Sequence, residues 1–201
     1  MQPFVTLTAP ACPLPLSNVD TDQLIPARFM SRPRSEGYGD FLLHDLRRDE
    51  AGALDPAFPV NAHPGAGILV ARRNFGCGSS REAAVYALAD FGFACVIAPS
   101  FGDIFASNAV NNGLLPATVE EAEAETLLAA LEAGGELTVD LERQEIRGAG
   151  APIRFAVDPV WRTKLLNGWD DVDLTLSHAE AIAAFAARDA AARPWAQLPR
   201  D

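Results

Sequence analysis

The sequence has few of the residues from which metal and redox sites are usually built. Its 201 residues include three cysteines and three histidines, and no Cys-x-x-Cys pair is present. An odd number of widely spaced cysteines is not a disulfide framework, nor does it have the ligand spacing of a zinc or iron–sulfur site. With three histidines, few positions could supply the histidine of a Ser-His-Asp triad. We therefore expect this chain by itself to bind no metal or cofactor.

Positive charge and long apolar runs are also scarce. There are 16 Lys and Arg against 27 Asp and Glu, a formal net charge of −11. Because phosphate binding needs clustered positive charge, this balance argues against nucleic-acid binding. No apolar run approaches the roughly 18 residues that span a bilayer, and the amino terminus lacks the pattern of a signal peptide. The sequence predicts a cytoplasmic protein with no nucleic-acid or membrane partner, although a few arginines could still hold a small carboxylate.

Apolar patterning predicts a single mixed α/β domain over residues 1–201. Strands are predicted at 4–10, 67–71 and 93–99, with a helix between the last two. A strand, a helix and a strand within about 30 residues form a βαβ unit, which implies a parallel pair and a right-handed crossover. Residues 136–148 have two alternating runs around a turn, which predicts a hairpin. Helical patterns dominate the carboxyl-terminal part.

Residues 31–66 interrupt this pattern with a long polar stretch that is rich in glycine and proline. Loops of this length are more often functional or interface segments than filler. We expect this segment to be mobile, because of its glycine, proline and charge content.

The strongest chemical signal is NFGCGSSREAAVYAL, residues 74–88, at the start of the predicted helix. It begins like a dinucleotide-binding turn, but Arg81 stands where the third glycine belongs. It has no Gly-Lys-Ser/Thr of a phosphate loop, and glycine occupies position 78, where a nucleophile elbow needs serine. The spacing of Ser79 and Glu82 fits a capping box, in which each side chain would accept from the other's backbone N–H. Spacing alone leaves a helix cap and a ligand site both open.

The same stretch has the properties of a carboxylate site. A helix N-terminus offers unpaired N–H groups and the positive end of the helix dipole. Gly76 and Gly78 let a ligand approach the backbone closely. Arg81 adds a forked donor suited to carboxylate, and its charge opposes the helix dipole, a cost that an anionic ligand would offset. The same field could stabilise a serine alkoxide.

Three long blocks of the chain resemble the small-subunit family of 3-isopropylmalate dehydratase, in the aconitase superfamily. They are NVDTDQLIPARF, ARRNFGCGSSREAAVYAL and FACVIAPSFGDIFASNAVNNGLLP. They occur in the family's order and spacing, and the resemblance extends through DVDLTLSHAEAIAAF, nearly the whole chain. The resemblance implies an α/β fold, the aconitase-like swivelling β/β/α domain with a mixed sheet and a helical carboxyl terminus.

The resemblance also implies that the chain is half of an enzyme. In this family a separate large subunit carries three cysteines and a [4Fe–4S] cluster. The implied activity is that of a hydro-lyase, which interconverts 2-isopropylmalate and 3-isopropylmalate through 2-isopropylmaleate in leucine biosynthesis. The implied partners are therefore the large subunit and a small dicarboxylate.

The resemblance implies functional roles for five residues. Ser79 matches the serine that acts as the base, and Ser80 and Arg81 match contacts to a substrate carboxylate. Asp22 matches an active-site aspartate, although an Asx turn or a helix N-cap would explain it as well. Segment 31–66 matches the substrate-recognition and interface loop, in which Arg34 is our candidate for the second carboxylate.

Two departures from the family pattern leave the exact substrate open. Many members read Arg-Thr-Gly-Phe/Tyr-Gly in the loop where this chain has Ser35 to Gly39, and a histidine common after Ser-Ser-Arg-Glu is Ala83 here. A related hydro-lyase acting on citraconate, methylmalate or homoaconitate is one alternative. A non-catalytic carboxylate-binding module is another, and a dinucleotide-binding domain is disfavoured by Arg81.

Overall fold

The structure is a computed structural model that describes residues 1–196, so that residues 197–201, the end of the predicted domain, lie outside the described part. The strands are β1 (Thr6–Leu14), β2 (Ile68–Ala71), β3 (Cys95–Ala98), β4 (Leu115–Thr118), β5 (Glu136–Asp140), β6 (Glu145–Arg147) and β7 (Ile153–Arg154). The helices are α1 (Thr21–Leu24), α2 (Pro59–Ala62), α3 (Glu82–Phe91), α4 (Asp103–Asn111), α5 (Glu121–Ala130), α6 (Pro159–Asn167), α7 (Asp171–Leu176) and α8 (Ala179–Ala192).

The strands form one mixed sheet in the order β4-β3-β2-β1-β5-β6-β7. β1 to β4 are parallel, whereas β5 to β7 pair antiparallel. β1 joins the two halves, since residues 11–14 pair with β2 and residues 6–10 pair with β5. The predicted mixed sheet, βαβ unit and hairpin are confirmed. The predicted end of the first strand at Pro10 is wrong, because the strand changes partner there and continues to Leu14.

Both faces of the sheet are covered, so that β2 and β3 are buried along their whole length. On one face, Leu69 and Val96 belong to a core completed by α3, α4 and part of segment 31–66. On the other face, Ile68, Val70 and Ile97 belong to a core completed by α5, α6 and the hairpin. This double burial explains why the two strands read as continuous apolar runs in the sequence.

Segment 31–66 packs along α3. Leu42 and Leu43 are fully buried in the core that α3 shares. A Cβ placed on Gly39 would lie 2.8 Å from the carbonyl oxygen of Asp90, so the two backbones are in close contact. The segment is thus held by packing along the side of the helix whose amino end carries the predicted site. Its expected mobility stays a prediction.

The carboxyl-terminal part is helical, as predicted. None of the residues of α7 and α8 is buried, and Leu176 and Phe185 are 63% and 59% exposed. Among the helices described, none combines the length and apolarity that a membrane crossing requires.

Candidate substrate site at the ends of the parallel strands

Loops from three parallel strands meet beside the amino end of α3. In the loop after β2, the Cys77 carbonyl accepts a hydrogen bond from the N–H of Thr21, the first residue of α1, which follows β1 (2.9 Å). In the same loop, the Phe75 N–H donates to the carbonyl of Ser100, which lies in the loop after β3 (3.0 Å). Ligands of α/β sheets bind outside the carboxyl ends of the strands. The serine-containing loop therefore lies where the fold favours a ligand site.

Ser79 and Ser80 are both exposed at this edge. The Ser79 carbonyl oxygen holds the loop, since it accepts hydrogen bonds from Thr21 Oγ1 (2.9 Å) and from the Arg81 N–H (2.7 Å). The loop is thus fixed through the backbone of Ser79, and its hydroxyl is not needed for that purpose.

The predicted capping box of Ser79 and Glu82 is wrong. α3 begins at Glu82, and its N-cap is Arg81, which makes no side-chain capping bond. The tight turn that joins the Arg81 N–H to the Ser79 carbonyl places Ser79 two residues before the N-cap. The Glu82 carboxylate accepts from Asn112 Nδ2 (3.0 Å) and does not brace the turn. The serine is therefore a loop residue beside the helix.

Arg81, the N-cap of α3, and Asp22, in α1, form an ion pair. The Arg81 side chain is 19% exposed, and that of Asp22 is 58% exposed. The sequence suggested that an anionic ligand would offset the cost of the Arg81 charge against the α3 dipole, and in the structure the carboxylate of Asp22 pairs with that charge. The N-cap of α1 is Asp20, whose carboxylate accepts from the Gln23 N–H (2.7 Å), so Asp22 is not the cap.

Arg34 lies along α3 and makes no contact with the other predicted site residues. Its Nη2 donates to the Asp90 carboxylate (2.8 Å), and its guanidinium lies 4.0 Å from the centre of the Tyr86 ring. The hydrogen bond to Asp90 raises the pKa of Arg34 above its ordinary value. Tyr86 is five residues after Arg81, so at 1.5 Å per residue the guanidinium of Arg34 packs about 7.5 Å along the helix from Arg81. The structure brings Ser79, Ser80, Arg81 and Asp22 together, and Arg34 is not among them.

Two asparagines that were not predicted from the sequence fasten the loops at their base. Asn18 and Asn74 both adopt left-handed backbone angles, with φ of 56° and 61°. Asn74 Nδ2 donates to Asn18 Oδ1 (2.8 Å), and the Asn74 N–H donates to Ser100 Oγ (2.9 Å). Asparagine is among the few residues besides glycine that tolerate this conformation. Its presence after two predicted strands was the signal that could have identified these positions.

The thiols of this chain do not fit an iron–sulfur cluster. Cys12 and Cys95 are buried in the cores on opposite faces of the sheet, and only Cys77 lies in the site loop. Burial raises the pKa of Cys12 to about 12, and it also raises the pKa of Cys95, which disfavours the thiolate that a metal requires. Within residues 1–196, no group of three or more His, Cys, Asp and Glu side chains could hold a metal ion.

Family models match most of the chain. The model of the aconitase C-terminal domain matches residues 1–122, and the model described as LeuD_N matches residues 125–159. The model of the C-terminal domain of the 3-isopropylmalate dehydratase small subunit matches residues 171–198.

Curated relatives and a solved structure agree with these matches. The 3-isopropylmalate dehydratase small subunit of Rhodospirillum centenum is 49% identical, with 98% of this chain and 99% of that protein covered. The small subunit of Gluconacetobacter diazotrophicus is 48% identical over 97% of each chain. The crystal structure of 3-isopropylmalate dehydratase from Methanocaldococcus jannaschii is 29% identical, with a TM-score of 0.65, covering 89% of this chain and 98% of the other. The chain therefore belongs to the family of 3-isopropylmalate dehydratase small subunits.

Proposed function

We propose that this chain is the half of 3-isopropylmalate dehydratase that supplies the base and part of the carboxylate site, in the cytoplasm. The observation that carries the proposal is the placement of Ser79. It is an exposed serine, held through its backbone, beside the amino end of a ten-residue helix and next to Arg81. In this proposal a large subunit with a [4Fe–4S] cluster, the partner that the family implies, completes the site.

The reaction requires a proton to be taken from a carbon beside a carboxylate and returned to the neighbouring carbon. The cluster, when present, supplies the Lewis acid that takes the hydroxyl. Ser79 Oγ removes the proton as the double bond of 2-isopropylmaleate forms. On rehydration it returns the proton to the other carbon, so that the hydroxyl and the hydrogen exchange places. Ser79 is unchanged at the end of the cycle.

The amino end of α3 stabilises the charges in this step. A serine acts as a base only as its alkoxide, and the positive end of the helix dipole and the Arg81 guanidinium both favour an anion at Ser79. The forked guanidinium also suits a substrate carboxylate, with the Ser80 hydroxyl as a further donor. The ion pair with Asp22 of α1 holds Arg81 and so orients it for the carboxylate.

The second carboxylate is assigned to Arg34 in segment 31–66. The salt bridge to Asp90 occupies this guanidinium in the free chain. With 45% of its side chain exposed, Arg34 can exchange Asp90 for a substrate carboxylate when the large subunit closes on the segment. In this proposal the segment is both the recognition loop and part of the subunit interface.

Arg34→Lys is expected to raise KM for isopropylmalate by roughly tenfold or more, because lysine cannot replace the forked contact. Asp90→Asn is the matched variant, since it removes the salt bridge and keeps Arg34. It should leave KM unchanged or lower it, because Arg34 is released for the substrate. Steady-state kinetics of the assembled enzyme measure both. An equal rise of KM in both variants would show that Arg34 only anchors the loop.

Reconstitution under anaerobic conditions tests the proposed function. The chain alone is expected to show no hydratase activity, and activity should appear on mixing with the cluster-bearing large subunit. Turnover of isopropylmalate, citraconate and homoaconitate should be compared with the same preparation. A higher kcat/KM for either of the last two would assign the chain to a related hydro-lyase. Binding of isopropylmalate without partner-dependent turnover would instead support a non-catalytic module.

A further inference from the structure

Thr21 is a buried polar residue that contacts the serine loop from inside the protein. Its exposed fraction is 1%. The Thr21 N–H donates to the Cys77 carbonyl (2.9 Å), and the Thr21 hydroxyl donates to the Ser79 carbonyl (2.9 Å). One residue therefore binds the loop on both sides of Gly78.

Gly78 is the point where this loop could otherwise move. Its φ of 96° lies in the region that favours glycine, and glycine restricts the backbone less than any other residue. A Cβ at Gly78 would lie 3.5 Å from Thr21 Oγ1, so the threonine packs directly against this position. The two hydrogen bonds from Thr21 thus restrain the loop on both sides of this glycine.

The hydroxyl bond also sets the direction of the peptide that follows Ser79. A peptide unit is planar and trans, so its C=O and N–H point in opposite directions. Because Thr21 holds the Ser79 carbonyl toward the protein interior, the Ser80 N–H is directed away from Thr21. The orientation of this plane constrains the backbone at Ser79 and so limits the directions in which its side chain can leave the loop.

We propose that Thr21 is a positioning residue for the Ser79 base: its hydroxyl fixes the Ser79 peptide so that Oγ is aligned with the substrate C–H. This inference rests on the proposed function, in which Ser79 removes that proton. Proton transfer depends steeply on alignment, and a misplacement of about 1 Å can cost roughly a hundredfold in rate. The binding of the substrate carboxylates depends on other residues. Loss of the Thr21 hydroxyl should therefore lower kcat more than it changes KM.

The test compares Thr21→Val, which keeps the shape and loses the hydroxyl, with Thr21→Ser, which keeps the hydroxyl. Each chain is assembled with the cluster-bearing large subunit, and kcat is expressed per assembled complex. Thr21→Val is expected to lower kcat roughly 10- to 100-fold with KM within about threefold, and Thr21→Ser to keep kcat within about threefold. A purely structural threonine would lower assembly or Tm and leave kcat per complex unchanged. That result, or an equal loss of kcat in both variants, would overturn the proposal.

Hydrogen exchange of the chain alone gives a second readout that does not depend on activity. The Arg81 amide donates to the Ser79 carbonyl, so its exchange reports on the same turn. Thr21→Val should exchange faster than wild type at Arg81, and Thr21→Ser should not. If Thr21→Val does not fold, Thr21→Ala, which also lacks the hydroxyl, replaces it in this measurement. Unchanged exchange without the hydroxyl overturns the role of Thr21, whereas an assembled wild-type enzyme without isopropylmalate turnover overturns the proposed function.

Discussion

Ser79→Ala is expected to lower kcat of the assembled enzyme by roughly 10²- to 10⁴-fold, the range that a positioned general base contributes. The loss follows from the geometry of the loop. The Ser79 backbone holds the turn through its carbonyl, and alanine keeps that carbonyl and its two hydrogen bonds. The substitution therefore removes the proton acceptor while the loop and the neighbouring Arg81 stay in place. KM should change little, because the residues assigned to the carboxylates are intact.

The control for this prediction is Ser177→Ala, an exposed serine after α7 that lies outside the proposed site. It should leave kcat and KM unchanged. Assembly with the large subunit, measured by size-exclusion chromatography, should be the same for both variants and for wild type. A Ser79→Ala enzyme with near-normal kcat would remove Ser79 from the role of base. A variant that fails to assemble would show that the serine hydroxyl supports the subunit interface.

Gly76→Ala is expected to destabilise the chain by about 2–5 kcal/mol, from backbone strain and overpacking together. Gly76 has a left-handed φ of 71°, and a Cβ there would overlap the ring of Phe105. The backbone is equally close on its other side, since a Cβ on Gly102 would lie 2.5 Å from the Gly76 carbonyl oxygen. Phe105 is itself buried in the core, so a new Cβ would have to displace packed atoms. Urea unfolding of the chain measures the change in the free energy of unfolding.

Gly52→Ala separates the two causes. Gly52 also has a left-handed φ, of 83°, but no atom lies within 4 Å of a Cβ placed there. It should cost only the backbone strain, about 1–2 kcal/mol. The difference between the two variants is then the cost of overlapping Phe105. Equal losses in both variants would mean that the loop after β2 shifts freely, contrary to the close packing at Gly76.

A local sequence pattern predicted the position of the candidate site but not the local structure of its serine. The glycines, serines and arginine of residues 76–81 indicate an anion site at the start of a helix. The structure places these residues in the loop that ends at the N-cap of α3, and the anion site itself stays a prediction. The same pattern fits a capping box, and this interpretation failed. Spacing cannot tell whether a serine enters the helix or precedes it, because that depends on which distant backbone groups hold it. Thr21 and Arg81 hold Ser79 in the turn, and Asn112 takes the carboxylate of Glu82.

The sequence by itself determined the elements that rest on periodicity and composition. The apolar runs of β2 and β3, the helix between them and the hairpin of β5 and β6 follow from burial patterns that neighbouring residues share. These are local properties, and they do not depend on which distant segments of the chain pack together. The long blocks also sufficed to indicate the family.

Only the tertiary structure decided which distant residues meet. It showed that β1 changes partner at Pro10, that Asp22 compensates Arg81 and that Asp90 holds Arg34. Each of these contacts joins segments that are far apart in the sequence, and each depends on the register of the sheet and the path of the loops. A contact of this kind produces no periodic pattern in the sequence, because the fold, and not the residues adjacent in the chain, determines which two residues meet.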